Sequence, residues 1–362
     1  MKNPRILILS IMVVALSCDD EYIDSITPVA PGPDEAAPEV VINYPAEGAL
    51  IRVADDVTPI DITLEASDDI EIQSVSLSLN GEEIATFNEF KDYRRAILEY
   101  TYENLTNGDH VLSVTVTDLS GKSTVQSVNF EKVPPYQPVY AGEVFYLPFD
   151  GDYMELVSIT NATRVGNPGF AGEGVQGGNA YAGASGAYLT FPTAGLLDEE
   201  FSAVFWYKLN PNPDRAGLLV ISPPDPDNPD AMNNRTSGFR FFREGSATNQ
   251  TFKLNVGDGT ADTWFDGGAA ASVDPAVSDW IHLAFTISGT SAAVYINGEL
   301  VKEETFDGVS WTGCDLLSIA SGAPRFAEWG HLSDASFMDE LRLFNKALSQ
   351  DEILEIMNAE MP

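Results

Sequence analysis

Positive charge is scarce in this 362-residue chain: 19 Lys and Arg stand against 55 Asp and Glu, a formal net charge of −36. A field of that sign repels phosphate backbones and anionic lipid surfaces. Nucleic acid is therefore excluded as a partner, and a membrane can be met only through a covalent anchor. Histidine is scarcer still, with only His110, His282 and His331. The two cysteines, Cys18 and Cys314, supply no disulfide framework, and Cys314 reads as a lone buried thiol. No apolar run reaches the roughly 18 residues that a membrane-spanning helix needs. Also missing are a Gly-x-Ser-x-Gly elbow, a His-rich metal motif and a Glu-x-Asp-x-x-Glu run. The adjacent acids Glu303-Glu304 and Asp339-Glu340 point to opposite faces of a strand. They cannot form the pair about 5 Å apart that a retaining glycosidase uses. What remains of an enzyme reading is a surface lyase or hydrolase with scattered residues, His331 with Tyr181 or Arg325.

The chain begins with Lys2 and Arg5, an apolar stretch over 6–16, and small residues before a cysteine, Ala15-Leu16-Ser17-Cys18. This order resembles a bacterial lipoprotein signal, which implies that Cys18 becomes the acylated first residue. The alternative is an ordinary cleaved signal peptide. Asp19-Asp20-Glu21 resembles the surface-export signal of Bacteroidetes lipoproteins, which implies an outer-membrane, cell-surface location. Residues 1–18 are thus read as signal and anchor. Residues 19–37, rich in proline and poor in apolar side chains, are read as a tether.

Residues 38–133 are expected to form a small all-β domain. Val75, Leu77 and Leu79 alternate with serines and lead into Asn80-Gly81, a hairpin turn; Leu112, Val114 and Val116 alternate likewise. The succession Pro38-Glu39-Val40-Val41-Ile42, Ala66-Ser67-Asp68-Asp69 and Leu105-Thr106-Asn107-Gly108-Asp109-His110 resembles bacterial immunoglobulin-like domains, which implies a spacer. Residues 134–138, with three prolines, are the expected linker.

Residues 139–362 carry further strand signals. Over 280–287, Ile281, Leu283, Phe285 and Ile287 line one face and Trp280, His282, Ala284 and Thr286 the other. Asn297-Gly298 makes a second hairpin, and Ser349-Gln350-Asp351-Glu352 is a capping box that starts a helix over about 350–357. Phe145-Tyr146-Leu147-Pro148-Phe149-Asp150-Gly151, Phe201-Ser202-Ala203-Val204-Phe205-Trp206-Tyr207-Lys208, the 280–286 strand and Met338-Asp339-Glu340-Leu341-Arg342 follow in order. Together they resemble laminin-G-like, concanavalin-A-like jelly-rolls. The expected fold class is all-β, an immunoglobulin-like sandwich followed by a jelly-roll sandwich. The resemblance also implies a structural calcium ion, with Asp150 and Asp339 at the ligand positions.

The anchor, export signal, spacer and jelly-roll together resemble Bacteroidetes surface glycan-binding lipoproteins of Sus-type polysaccharide-utilisation systems. Such proteins capture polysaccharide for an outer-membrane importer complex. A sugar site needs exposed aromatic rings beside planar polar groups. Trp206 and Trp280 lie in strand motifs and are expected in the core. Trp264, Trp329 and Trp311 lie in turn-rich segments, as does Tyr181; for each, stacking on sugar competes with plain packing. Arg240, Arg243 and Arg325 are the candidate basic partners, either forming a cleft for uronate or sulfate groups or balancing nearby acids. The acidic, proline-interrupted run over 223–230 reads as a solvated loop. The net field favours a neutral glucan or mannan, whereas the arginines favour an alginate-like polymer. A protein-binding adhesin is the third reading.

Overall fold

The computed structural model describes residues 32–276 and 279–361. The export signal, Cys18 and the tether up to Pro31 lie outside the described residues. Two compact units divide the chain, the larger running from Lys132 to the C-terminus with two short earlier segments.

The N-terminal sandwich packs a sheet of Glu39–Tyr44, Val57–Ser67 and Arg95–Thr106 with a five-stranded sheet. In the latter, Gly108–Asp118 is central and Ile72–Leu79 pairs with it, so that Val75 opposes Val116, Leu77 opposes Val114 and Leu79 opposes Leu112. All six are buried, as the alternation requires. Asn80 and Gly81 both take positive φ, 54° and 85°, the geometry of a tight hairpin turn. His110 is buried, stacked on Phe130 at 5.3 Å with Nδ1 held 3.0 Å from the Asn80 amide.

The second unit is a jelly-roll with two eight-stranded sheets among the described residues. One runs, edge to edge, through Thr163–Val165, Tyr188–Pro192, Leu316–Ile319, Arg215–Ile221, Ser237–Ser246, Asn249–Asp258 and Asp262–Asp266. The other is built around Phe337–Phe344, Phe201–Lys208, Trp280–Ile287 and Ser291–Ile296. Between them lies an aromatic core. Phe201, Phe239 and Phe241 ring Phe285 with centroids 4.8–6.1 Å apart. Each fully buried ring contributes roughly 1.5–3 kcal/mol.

Ile281, Leu283, Phe285 and Ile287 face this core. The opposite face of that strand is buried too, because the helix Gln350–Glu360 lays Ile353 and Ile356 over Ala284, Val204 and Tyr295. The helix starts at the expected capping box, with Ser349 accepting from the Glu352 amide and Glu352 from Ser349. Trp206 is buried, its indole N–H donating to Glu360 at 3.0 Å, while Trp280 is only half-buried. His282 is sealed beside Trp206, and burial pushes its imidazole down to about 3. Tyr136, placed by the sequence in the linker, is bonded into this unit through Glu143 and Arg342.

Cys314 is buried, and enclosure pushes its thiol up to about 11. A thiol so rarely ionised reacts slowly. We expect a disulfide reagent to label Cys314 at least 100-fold more slowly in the native protein than in denaturant; labelling at the unfolded rate would show the sandwich edge to be open. Among the described residues no helix is long and apolar enough to cross a membrane.

Candidate functional site

The strand Ser237–Ser246 alternates so that Phe239, Phe241 and Arg243 point between the sheets and Arg240 and Phe242 point outward. That outer face is not bare. Two loops, over 222–236 and 321–335, fold across it. Phe326 closes on Val220 and Phe242, and His331 stacks on Phe326 at 4.9 Å and meets Phe242 edge-on at 4.5 Å.

At the rim of this cover two indoles emerge. Trp264, on the edge strand Asp262–Asp266, is 37% exposed, and Trp329, on the covering loop, is 38% exposed. Their ring centroids lie 5.8 Å apart at an interplanar angle of 35°. Each is braced from below, Trp264 by the edge of Phe242 at 6.0 Å and Trp329 by Phe326 at 5.8 Å. The Arg235 guanidinium sits 4.8 Å from the Trp329 ring and 5.7 Å from that of Trp264, while its Nε donates to Asp262 at 3.3 Å. Cation–π attraction and the ion pair hold the rings and the guanidinium as one platform.

A polar groove of about 360 Å³ adjoins Arg235, lined by Asp225, Asp227, Asn233, Asn234, Asp262 and Thr260. Its walls are ordered by their own hydrogen bonds. Asp225 accepts from the amides of Asn228 and Asn233 at 3.1 and 3.3 Å, the Asn233 amide reaches Glu328, and Asp258 accepts from Thr260 and Ala261 at 2.7 Å. Flat apolar rings beside carboxylate and amide groups suit a sugar: C–H faces lie on the indoles, and hydroxyls donate to the acids.

The structure brings together Trp264 and Trp329 of the expected residues and separates the rest. Tyr181 is a correction: it pairs with Met338 at a sheet edge, is 0% exposed and packs on Phe149 and Tyr153, so it presents no face to a ligand. Arg240 and Arg243 are corrections as well, both fully buried. Arg240 donates to the carbonyls of Asn234 and Ser237 at 2.6 Å and to Ser222, which ties down the loop that bears Arg235. Arg243 is locked between the sheets by Asp334 at 2.7 Å, Tyr207 at 2.8 Å and Gln250 at 2.7 Å. Trp311 packs against Phe201 and Phe239 with its N–H on the Asp198 carbonyl, the packing alternative. Arg325 is taken up by Asp315 at 2.9 Å.

Arg235 belongs to the basic group that includes Arg240 and Arg243 but is not singled out by the sequence, and the acidic run over 223–230 is not read there as part of a site. Most of that run is exposed, as a solvated loop is, and its Asp225, Asp227 and Asn228 line the groove. Their signal was weak: an Asp/Asn/Pro-rich loop next to the Asp258–Asp262 turn. Tyr181 belongs to the other sheet and is sealed there, apart from the loop that bears His331 and Arg325. His331 lies against Glu244 at 3.2 Å, and burial pushes its imidazole down to about 4, leaving it neutral at pH 7.

Asp150 and Asp339 meet a different loop, over 172–179. Asp339 accepts from the amides of Val175 at 2.7 Å and Gln176 at 3.3 Å, and burial pushes its carboxyl up to about 8. Burial also raises Asp150, which lies against Gly177 and Gly178. Two glycines make room there. A Cβ on Gly177 would stand 2.0 Å from the Asp150 carboxylate, and one on Gly174 would strike the carbonyls of Asn179 and Gln176 and the Asp339 carboxylate within 2.9 Å. Oxygens thus crowd both sides of one loop, the donor set of a hard cation. Among the described residues no group of three or more His, Cys, Asp or Glu side chains is arranged to hold a metal, so carbonyls would have to complete the shell. Glu340, beside Asp339, takes φ 52° in a bulge and turns to Arg342 and Tyr146 instead.

The fold of the second unit is that of a concanavalin A-like domain. A family profile described as the concanavalin A-like lectin/glucanases superfamily matches residues 183–354, and one for the bacterial Ig domain matches 38–114. The chain therefore carries an immunoglobulin-like domain followed by a concanavalin A-like jelly-roll. No curated protein matches it. Among solved structures, domain 4 of AbnA, a GH43 extracellular arabinanase from Geobacillus stearothermophilus in complex with arabinotriose, is 18% identical with a TM-score of 0.44. The match covers 59% of this chain and 98% of that one. The receptor binding domain of botulinum neurotoxin C/D mosaic serotype is 15% identical with a TM-score of 0.41, covering 60% of this chain and 51% of that one. The type G neurotoxin receptor binding domain is 15% identical with a TM-score of 0.38, again over 61% and 52% of the two chains. This chain thus spans about half the length of the toxin chains.

Proposed function

We propose that this chain is a non-catalytic, cell-surface polysaccharide-binding lipoprotein that captures glycan for an outer-membrane uptake system. The observation that carries the proposal is the half-exposed Trp264–Arg235–Trp329 platform beside a polar groove. The polar groove favours sugar over the flat apolar patch an adhesin would use. Tyr181 is sealed in the core and Arg325 is held by Asp315, which favours binding over a lyase. Attachment through Cys18 rests on the sequence of the export signal. Affinity electrophoresis through gels loaded with plant and algal polysaccharides tests the proposal. The wild-type chain is expected to be retarded by at least one polymer, and the Trp264→Ala/Trp329→Ala double variant by none. Equal retardation of both proteins would refute it.

The proposal includes a structural calcium ion near Asp150 and Asp339, with the carbonyls of Gln176 and Asn179 as further donors. The ion would offset the buried carboxylate charge. A ligand at 100 times its Kd adds about 2.7 kcal/mol to stability. Calcium is therefore expected to raise the melting temperature by several degrees over EDTA, and Asp339→Asn to abolish the shift. Identical melting in millimolar calcium and in EDTA would remove the ion from the proposal.

A further inference from the structure

Resting on the polysaccharide-binding reading, we infer that the platform selects uncharged polysaccharides and rejects those bearing uronate or sulfate groups. An anionic polymer needs free cations at the site, and among the described residues the outer face offers none. Arg235 shares its charge with Asp262 and turns its flat faces to the two indoles. Lys253 lies between Glu244 at 3.0 Å and Asp266 at 2.7 Å, and Arg215 is drawn to Glu244 and to the Trp329 carbonyl. Arg325 is paired with Asp315, and Arg240 is enclosed beneath the loop. Among the described residues the groove presents Asp225, Asp227 and Asp262 against a single cation, Arg235, with Glu328 close by on Asn233.

A carboxylate or sulfate brought onto the rings would face this acidic rim in a partly desolvated cleft, where like charges repel more strongly than in bulk water. A neutral sugar meets the same groups as acceptors for its hydroxyl donors, and hydrogen bonds to ionised acceptors are the stronger kind. The rim thus acts in two directions, attracting hydroxyl-rich rings and excluding anions.

The test is affinity electrophoresis, without added divalent ions, through neutral β-glucans, mannans, xylans and galactans and through alginate and polygalacturonate. The expected result is retardation by at least one neutral polymer, lost in Trp329→Ala, with no retardation by either anionic one. Asp227→Lys removes one hydroxyl acceptor from the groove, so it is expected to weaken neutral binding severalfold while gaining retardation by alginate or polygalacturonate. Retardation of wild type by an anionic polymer that Trp329→Ala removes would overturn the selectivity while leaving polysaccharide capture intact. An Asp227→Lys protein that binds neutral polymer but gains no anionic binding would refute the rim as the filter. If no polymer of either kind is retarded in a Trp329-dependent way, the capture role itself fails, and the selectivity with it.

Discussion

Trp329→Ala is expected to weaken polysaccharide binding by at least 30-fold and to leave the fold intact. Trp329 carries the closer face of Arg235, at 4.8 Å, so its loss removes a stacking surface and unseats the guanidinium. Central aromatic anchors of this kind cost about 2 kcal/mol or more when truncated, which is the source of the 30-fold figure. The loop itself should stay in place. Arg215 grips the backbone carbonyl of Trp329 at 2.9 Å, and Phe326 remains seated over Phe242 and Val220. The variant should therefore melt within a few degrees of wild type, losing about 1 kcal/mol with the edge-on contact to Phe326. Trp264→Ala should weaken binding similarly and also cost about 1 kcal/mol in stability, because its ring meets Phe242 edge-on. Retardation gels give the affinity and thermal melts the stability. Wild-type binding in both variants would show that the indoles are not the ligand platform.

The largest loss of stability is expected from Asp334→Ala. Asp334 and Arg243 are an ion pair with side chains 2% and 0% exposed. The carboxylate also accepts from Tyr207 and from the Ser336 hydroxyl at 2.9 Å. Deleting it leaves a guanidinium between the sheets with its charge unmatched, a change that costs about 3–5 kcal/mol in buried pairs. For a unit of this size the melting point should fall on the order of 10 °C. Replacing both partners, Asp334→Ala with Arg243→Met, should be milder than Asp334→Ala alone, because no buried charge is stranded. A double variant worse than the single would mean that Arg243 acts through its bonds to Gln250, Asn210 and Pro213 rather than through its charge.

Legibility followed the range of the interaction. The strands over 72–79, 108–118 and 280–287 were readable because burial on one face writes a period of two into neighbouring residues. Both Asn-Gly turns and the Ser349 capping box were readable because their chemistry is complete within four residues. The opposite orientations of Arg240 and Arg243 also followed from alternation. Their roles did not, since nothing in 237–246 tells that loops from 222–236 and 321–335 close over one side and a second sheet over the other. Tyr181 sits among glycines and asparagine, a loop by composition, yet a two-residue bridge to Met338 draws it into the core.

By itself, the sequence determined two β-sandwiches, their order, the acidic field and two indoles outside the strand motifs. Periodicity, turn chemistry and charge are properties of residues close in the chain or of their simple sum. Only the tertiary structure decided that Trp264 and Trp329 flank one arginine, that Arg235 is that arginine, and that the acidic run beside it lines a groove. Those are meetings of segments far apart in the chain, and the hydrophobic packing of Phe242, Phe326 and His331 that brings them together leaves no local pattern to read.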